Sequence, residues 1–231
     1  MQVKDIMTTE VITVTPDTLV EDIARLLLDN RISGVPVVDT EGKILGIVSE
    51  GDLICRSDID TERSRSWWLT LLSDSRELAA DYLKSHGTSA RDVMTRYPVT
   101  ITEDVSIGQA ARLLEERRIK RVPVVRDGKL IGIVSRANLL QALATRKTDV
   151  KTAATADDRE LREQVTAAIA RQSWLTHGRP NVIVHDGTVE IWGWVNSAEE
   201  RRALLLTVQK VPGVQAVEDR LGQMPASLRN V

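Results

Sequence analysis

Two short stretches of the chain carry side chains that could act on a small polar ligand. In Gly46-Ile47-Val48-Ser49-Glu50-Gly51-Asp52 a glycine, a hydroxyl and a carboxylate follow one another at regular spacing. A glycine lets the backbone approach a ligand closely. A hydroxyl at a helix start joins the free N–H groups in receiving phosphate, and a carboxylate accepts hydrogen bonds from both hydroxyls of a ribose. The second stretch reads Gly132-Ile133-Val134-Ser135-Arg136-Ala137-Asn138. Its asparagine can accept one bond and donate another but carries no charge, so it makes the weaker diol clamp. Ser-x-x-Asp is equally an ordinary capping box that satisfies the free N–H groups of a helix, and both readings stand at this point.

Little else in the sequence suggests chemistry. His86, His177 and His185 are scattered, none with a second ligand at a convincing metal spacing, and no Walker A loop or dinucleotide fingerprint occurs. Cys55 adjoins the first stretch without a histidine motif and reads as a helix residue rather than a nucleophile. The expectation is a protein that is not an enzyme and holds no metal or cofactor.

The elements that position these residues come as a repeat. Residues 5–38 align with 92–125 at a constant offset, and 16 of the 34 positions are identical, too many for chance. Loss of one residue then pairs 42–54 with 128–140. Within the first copy, Ile12 to Thr15 alternates like a short strand and Thr18-x-x-Glu21 predicts a capped helix with Leu19, Val20, Ile23, Ala24, Leu26 and Leu27 inward. Strands at 35–38 and 44–48 follow, joined by a turn at Thr40-Glu41-Gly42, and a second helix starts near Gly51. The second copy repeats this order with Ser106-x-x-Gln109 as its cap. Two such β-α-β-β-α units, each with an apolar sheet face to hide, are expected to pack about a pseudo-twofold axis with clefts between them.

The motifs DIMT, GVPVV and GIVSEGD in one copy, and DVMT, RVPVV and GIVSRAN in the other, resemble the CBS domain. The resemblance implies a tandem pair that dimerises and binds an adenosine-containing ligand such as AMP, ADP, ATP or S-adenosylmethionine. It carries candidate binding roles to Asp52, Ser49, Thr13, Gly34 and Val35 in the first copy. In the second it carries them to Ser135, Asn138, Thr100, Lys120 and Arg121. Thr13 and Thr100 match the strand that flanks adenine, and Lys120 and Arg121 are candidate phosphate partners. Repeat 1 is expected over 1–55 and repeat 2 over 92–145. A helical insert fills 56–91, in which Trp67 and Trp68 either pack onto the pair or form a docking surface.

Residues 146–156 are small and polar and read as a linker, and 225–231 as a tail. Between them, over 157–224, a helix from Asp157, a hairpin turning at Asp186-Gly187, a helix capped by Ser197 and Glu200, and a strand after VPGV give an αββαβ order. With DGTVEIWGWVNSAEER, this resembles a BON domain, which implies contact with phospholipid or a protein partner. Along 188–195, Val189, Ile191 and Val195 share one face, while Glu190, Trp192 and Trp194 share the other. Helices on the first face would leave the two tryptophans toward solvent as a partner or lipid surface. The overall class is thus mixed α+β.

Composition excludes other classes. With 31 basic and 33 acidic residues, the chain lacks the bulk charge of a nucleic-acid binder, and with one cysteine it has no intrachain disulfide. No run of ~18 apolar residues and no secretory pattern occurs, so a cytoplasmic protein is expected, and the two resemblances imply a bacterial, homodimeric regulator.

Overall fold

The computed structural model describes residues 1–54, 82–145, 155–175 and 179–223. Cys55, Trp67 and Trp68, most of the helical insert and the linker lie outside the described residues. The described chain divides into two compact units that do not follow the repeat boundaries. One joins 12–99 with 126–130; the other joins 1–11, 100–125 and 131–231.

In the first unit, α1 (Val20–Asn30) buries Val20, Ile23 and Leu27 and ends on Arg31 in the left-handed region. Thr18 is not its cap. Thr18 Oγ1 accepts a bond from Thr15 N at 3.1 Å, Leu19, which has no polar side-chain atom, stands at the N-cap, and the Val20 N–H donates to the Thr88 carbonyl at 3.0 Å. Nor does Ile12 to Thr15 form a strand; it contributes one parallel bridge, Val14 to Val37. Strands β1 (Gly34–Val38) and β2 (Ile44–Ser49) pair antiparallel, joined by a turn in which Asp39 Oδ1 accepts from the N–H groups of Glu41 and Lys43. Ser49 opens α2 (Glu50–Leu53), and after a helical stretch at 82–86 the chain enters α3 (Ala90–Val93).

The sheet of this unit is completed by the motif that introduces the other repeat. Strand β3 (Thr95–Arg96), from DVMT, pairs with Ile47 and Gly46 of β2. Gly46 is required there, since a Cβ would lie 2.5 Å from Met94 Sδ and 3.0 Å from the Thr95 carbonyl. The second unit mirrors this. Thr8 of DIMT bridges Ile133, and a Cβ on Gly132 would meet Met7 Sδ at 2.6 Å. Each repeat therefore lends its opening motif to the sheet of the other.

The second unit contains α4 (Ile107–Glu116), α5 (Arg136–Ala144) and all but the hairpin end of β4 (Arg121–Arg126) and β5 (Lys129–Ser135). Ser106 forms the expected capping box with Gln109. The C-terminal module follows as α6 (Ala156–Ala170), β6 (Asn181–His185), β7 (Thr188–Val195), α7 (Ala198–Gln209) and β8 (Ala216–Gln223). Its sheet runs β6-β7-β8, antiparallel then parallel, and Asp186 and Gly187 turn the hairpin with φ of 47° and 71°. Val189, Ile191 and Val195 pack with Leu161, Val165, Ile169, Leu204 and Val208 from the two helices.

Two carboxylates fasten helix starts. The Ser89 hydroxyl and the N–H groups of Ser89 and Thr88 hold Asp92 below the usual carboxylate range against its burial. Burial pushes Asp158 up, yet bonds from the N–H groups of Gly187, Thr155 and Asp186 and from the Thr155 hydroxyl hold it below that range too. A lowered folded pKa contributes stability that is fully present above the unfolded value of about 3.9 and is lost as pH falls through the lower folded value. Acid unfolding followed by circular dichroism should therefore fall less steeply below pH ~4 in Asp158→Asn than in the wild-type chain. Superimposable acid transitions would refute this.

Candidate functional site

The fold distributes the ligand-binding candidates between the two units. Asp52, Ser49, Gly34, Val35 and Thr13 lie in the first. Gly34 stands opposite Ser49 across the β1–β2 ladder, and Val35 opposite Val48, both buried, so this end of the sheet faces the start of α2. Thr13, exposed, precedes the residue that bridges to β1. At the helix start, Ser49 donates to Asp52 Oδ2 from both its N–H (2.9 Å) and its hydroxyl (2.7 Å). The other oxygen, Oδ1, receives Lys84 Nζ at 3.0 Å and the Thr95 hydroxyl at 3.5 Å. The capping role is thus real. It consumes only one carboxylate oxygen, and the second faces a replaceable cation.

The corresponding place in the second unit is built differently. Asn138 is 4% exposed. Its Oδ1 accepts from Ser135 N (2.8 Å) and Ser135 Oγ (2.7 Å), while its Nδ2 donates to the Ile6 carbonyl (3.1 Å) and Thr8 Oγ1 (3.4 Å). An asparagine makes four such bonds at most, so all are used inside the fold. This gives the departure from aspartate a physical reason: a carboxylate here would set an acceptor against the Ile6 carbonyl. Lys120 is exposed and its carbonyl accepts the Arg136 N–H, Arg121 begins β4, and Thr100 is half-buried beside the residue that bridges Val124.

A third constellation joins the C-terminal module to the N-terminal arm. Buried Arg162 of α6 donates from Nε to the Val182 carbonyl (2.7 Å), from one terminal nitrogen to Lys4 O (3.1 Å) and from the other to Met7 O. Burial pushes its pKa down to about 10, so it stays charged at neutral pH. Arg159 pairs with buried Asp5 at 2.8 Å, and Asn181 Nδ2 donates to Ile6 O (3.3 Å) and Gln141 Oε1 (2.7 Å). The Ile6 carbonyl is thus shared by Asn138 and Asn181.

The exposed face expected for β7 needs correction. Glu190 is 1% exposed, and accepts from His185 Nε2 (3.1 Å), Thr145 Oγ1 (3.0 Å) and Trp192 Nε1 (3.1 Å). Thr145, the C-cap of α5, covers part of this face. Trp192 is half-buried with Arg220 over its ring, whereas Trp194 is 55% exposed and lies across Gly222. Sequence reasoning missed Lys84, Arg162, Asn181 and Thr145. Of the groups now seen around the motifs, only Thr95 and Thr8 carried a signal, as members of the repeated D-x-M-T.

A groove of about 370 Å3 opens elsewhere, between α6, the hairpin turn and Gly213, and holds none of the candidates. Among the described residues no group of His, Cys, Asp or Glu side chains could hold a metal ion, and no helix is long and apolar enough to cross a membrane.

Comparison with known proteins gives the family. The CBS domain matches residues 3–57 and 90–145, and the BON domain matches 157–223. The chain is 37% identical over 139 residues to the CBS domain-containing protein CBSX1, chloroplastic, of Arabidopsis thaliana, covering 56% of this chain and 57% of that one. It is 36% identical over 159 residues to an uncharacterised protein of Methanocaldococcus jannaschii, covering 62% of this chain and 91% of that one. It thus spans little more than half the length of the plant relative. Among solved structures, CBSX2 in complex with AMP superposes with a TM-score of 0.55 at 36% identity, over 62% of this chain and 96% of the other. The chain belongs to the CBS-domain family, and carries a tandem CBS pair followed by a BON domain.

Proposed function

We propose that the protein is a non-catalytic regulator that binds an adenosine-containing ligand through its CBS pair and couples occupancy to the BON domain. One observation carries the reading: Asp52 Oδ1 is held toward a single displaceable lysine at the end of a sheet where Gly34 meets Ser49. The relative CBSX2, crystallised in complex with AMP, gives the ligand class its support. The clamp is a charged acceptor for a sugar diol, and Thr13 of the same unit is the proposed neighbour of the base. Lys120 and Arg121 are the proposed phosphate partners. The coupling would run through the N-terminal arm, whose Ile6 carbonyl is bonded by both a CBS and a BON side chain. We further propose a cytoplasmic homodimer formed through the CBS pair, with Trp192 and Trp194 presented to a phospholipid or protein partner.

Thermal-shift and calorimetric titration with AMP, ADP, ATP and S-adenosylmethionine tests this. A ligand at one hundred times its Kd should stabilise the folded chain by about 2.7 kcal/mol. Asp52→Ala should weaken binding roughly tenfold or more, as expected for loss of a charged hydrogen-bond acceptor, and Asp52→Asn less. No stabilisation by any of these at millimolar concentration would refute the reading. A second reading, a dimerisation scaffold without ligand whose BON domain docks to a membrane or partner, is favoured by one observation. Every hydrogen bond of Asn138 is already used within the fold. That reading predicts the same melting temperature with and without nucleotide.

A further inference from the structure

We propose that Lys84 is an affinity-setting residue of the Asp52 site: a tethered cation that competes with the ligand's hydroxyls for the same carboxylate oxygen. The inference rests on the nucleotide-binding reading above and names what regulates that site. The two oxygens of Asp52 have separate duties. Oδ2 is fixed by two bonds from Ser49 and belongs to the start of α2. Oδ1 is the oxygen left for a ligand, and Lys84 Nζ sits 3.0 Å from it. The Thr95 hydroxyl, at 3.5 Å and beside the same oxygen, is a weak second donor.

The burial of the pair decides which member moves. The Asp52 side chain is 12% exposed and held by Ser49, whereas that of Lys84 is 43% exposed on a four-carbon stem. An arriving diol cannot draw the carboxylate away from α2, but it can turn the ammonium out to water. The lysine holds the site neutral while it is empty and sets a threshold that a ligand must exceed. The competition is with sugar hydroxyls, so it acts on nucleoside and nucleotide alike. A lysine serving as a phosphate ligand would instead discriminate between them.

Calorimetry with adenosine and with AMP, on the full-length wild-type chain, Lys84→Met and Lys84→Arg, separates the cases. Half-exposed ion pairs are weak, so Lys84→Met should tighten both ligands by about two- to fivefold. Lys84→Arg, which keeps the competing charge, should bind no tighter than wild type. Raising salt screens the ion pair, so adenosine, which is uncharged, should bind the wild type slightly better at high salt and Lys84→Met equally at both. Equal affinities for wild type and Lys84→Met, or loss of AMP but not adenosine binding in Lys84→Met, would overturn the inference while leaving the nucleotide reading intact. Absence of binding to both proteins, at any salt concentration, would overturn both.

Discussion

Replacing Arg162 by alanine should lower the unfolding free energy by about 3–5 kcal/mol and free the N-terminal arm from the BON domain, the largest effect expected from a single substitution in this chain. The guanidinium is buried and donates to three backbone carbonyls, those of Val182, Lys4 and Met7. An unpaired buried acceptor costs about 1–3 kcal/mol, and water reaches these carbonyls only if the domain and the arm part. Arg162→Met, which restores the apolar volume but no donor, should be nearly as damaging. Arg162→Lys should recover part of the loss, since an ammonium can serve some of the carbonyls but cannot fork among all three. Urea unfolding together with hydrogen exchange at the Thr8 amide, which is bonded to Ile133 O, measures both parts of the effect. Arg162→Met within ~1 kcal/mol of wild type would show that the carbonyls are already hydrated and the arm is not clamped.

Glu190→Ala is expected to cost about 2–4 kcal/mol. The substitution strands three donors at once: the His185 ring, the Thr145 hydroxyl and the Trp192 indole. Glu190→Gln keeps one good acceptor while turning its own N–H groups toward donors, so it should fall between the two. The indole reports the change directly, because tryptophan emission should shift to the red as Trp192 loses its anchor beside Glu190. A variant with wild-type stability and unchanged emission would mean that the carboxylate is solvated and the interface with Thr145 is open.

What the sequence made legible follows from distance along the chain. The Ser106 and Ser197 caps, the Asp186-Gly187 turn and the inward face of β7 depend on residues no more than a few positions apart, and each stands where periodicity and turn chemistry place it. Thr18 failed as a cap for a non-local reason: Thr88, far along the chain, supplies the acceptor for the Val20 N–H. The face of β7 that carries Glu190, Trp192 and Trp194 is legible by alternation, but alternation does not tell what covers it, which here includes Thr145. In Asn138 the sequence showed the change of residue, and only the Ile6 carbonyl shows why an amide is needed. The repeat itself revealed two copies of every motif without saying which copy completes which sheet, since near-identical segments fit either partner equally well by pattern alone.

That exchange of arms gives the two halves unequal histories during synthesis. The sheet of β1 and β2 is completed by Thr95 and Arg96, which leave the ribosome not long after it and with the same unit. Residues 1–11 emerge ahead of their distant partners, which are Glu103, Asp104, Val105 and Ser106 first, then β5, and last the arginines of α6. At ~5–20 residues per second this arm waits roughly 6–30 seconds for β5 and α6. During that interval its backbone donors and acceptors are bonded to water instead. The arm thus docks in stages, held first by residues 103–105 and closed last by β5 and the arginines of α6.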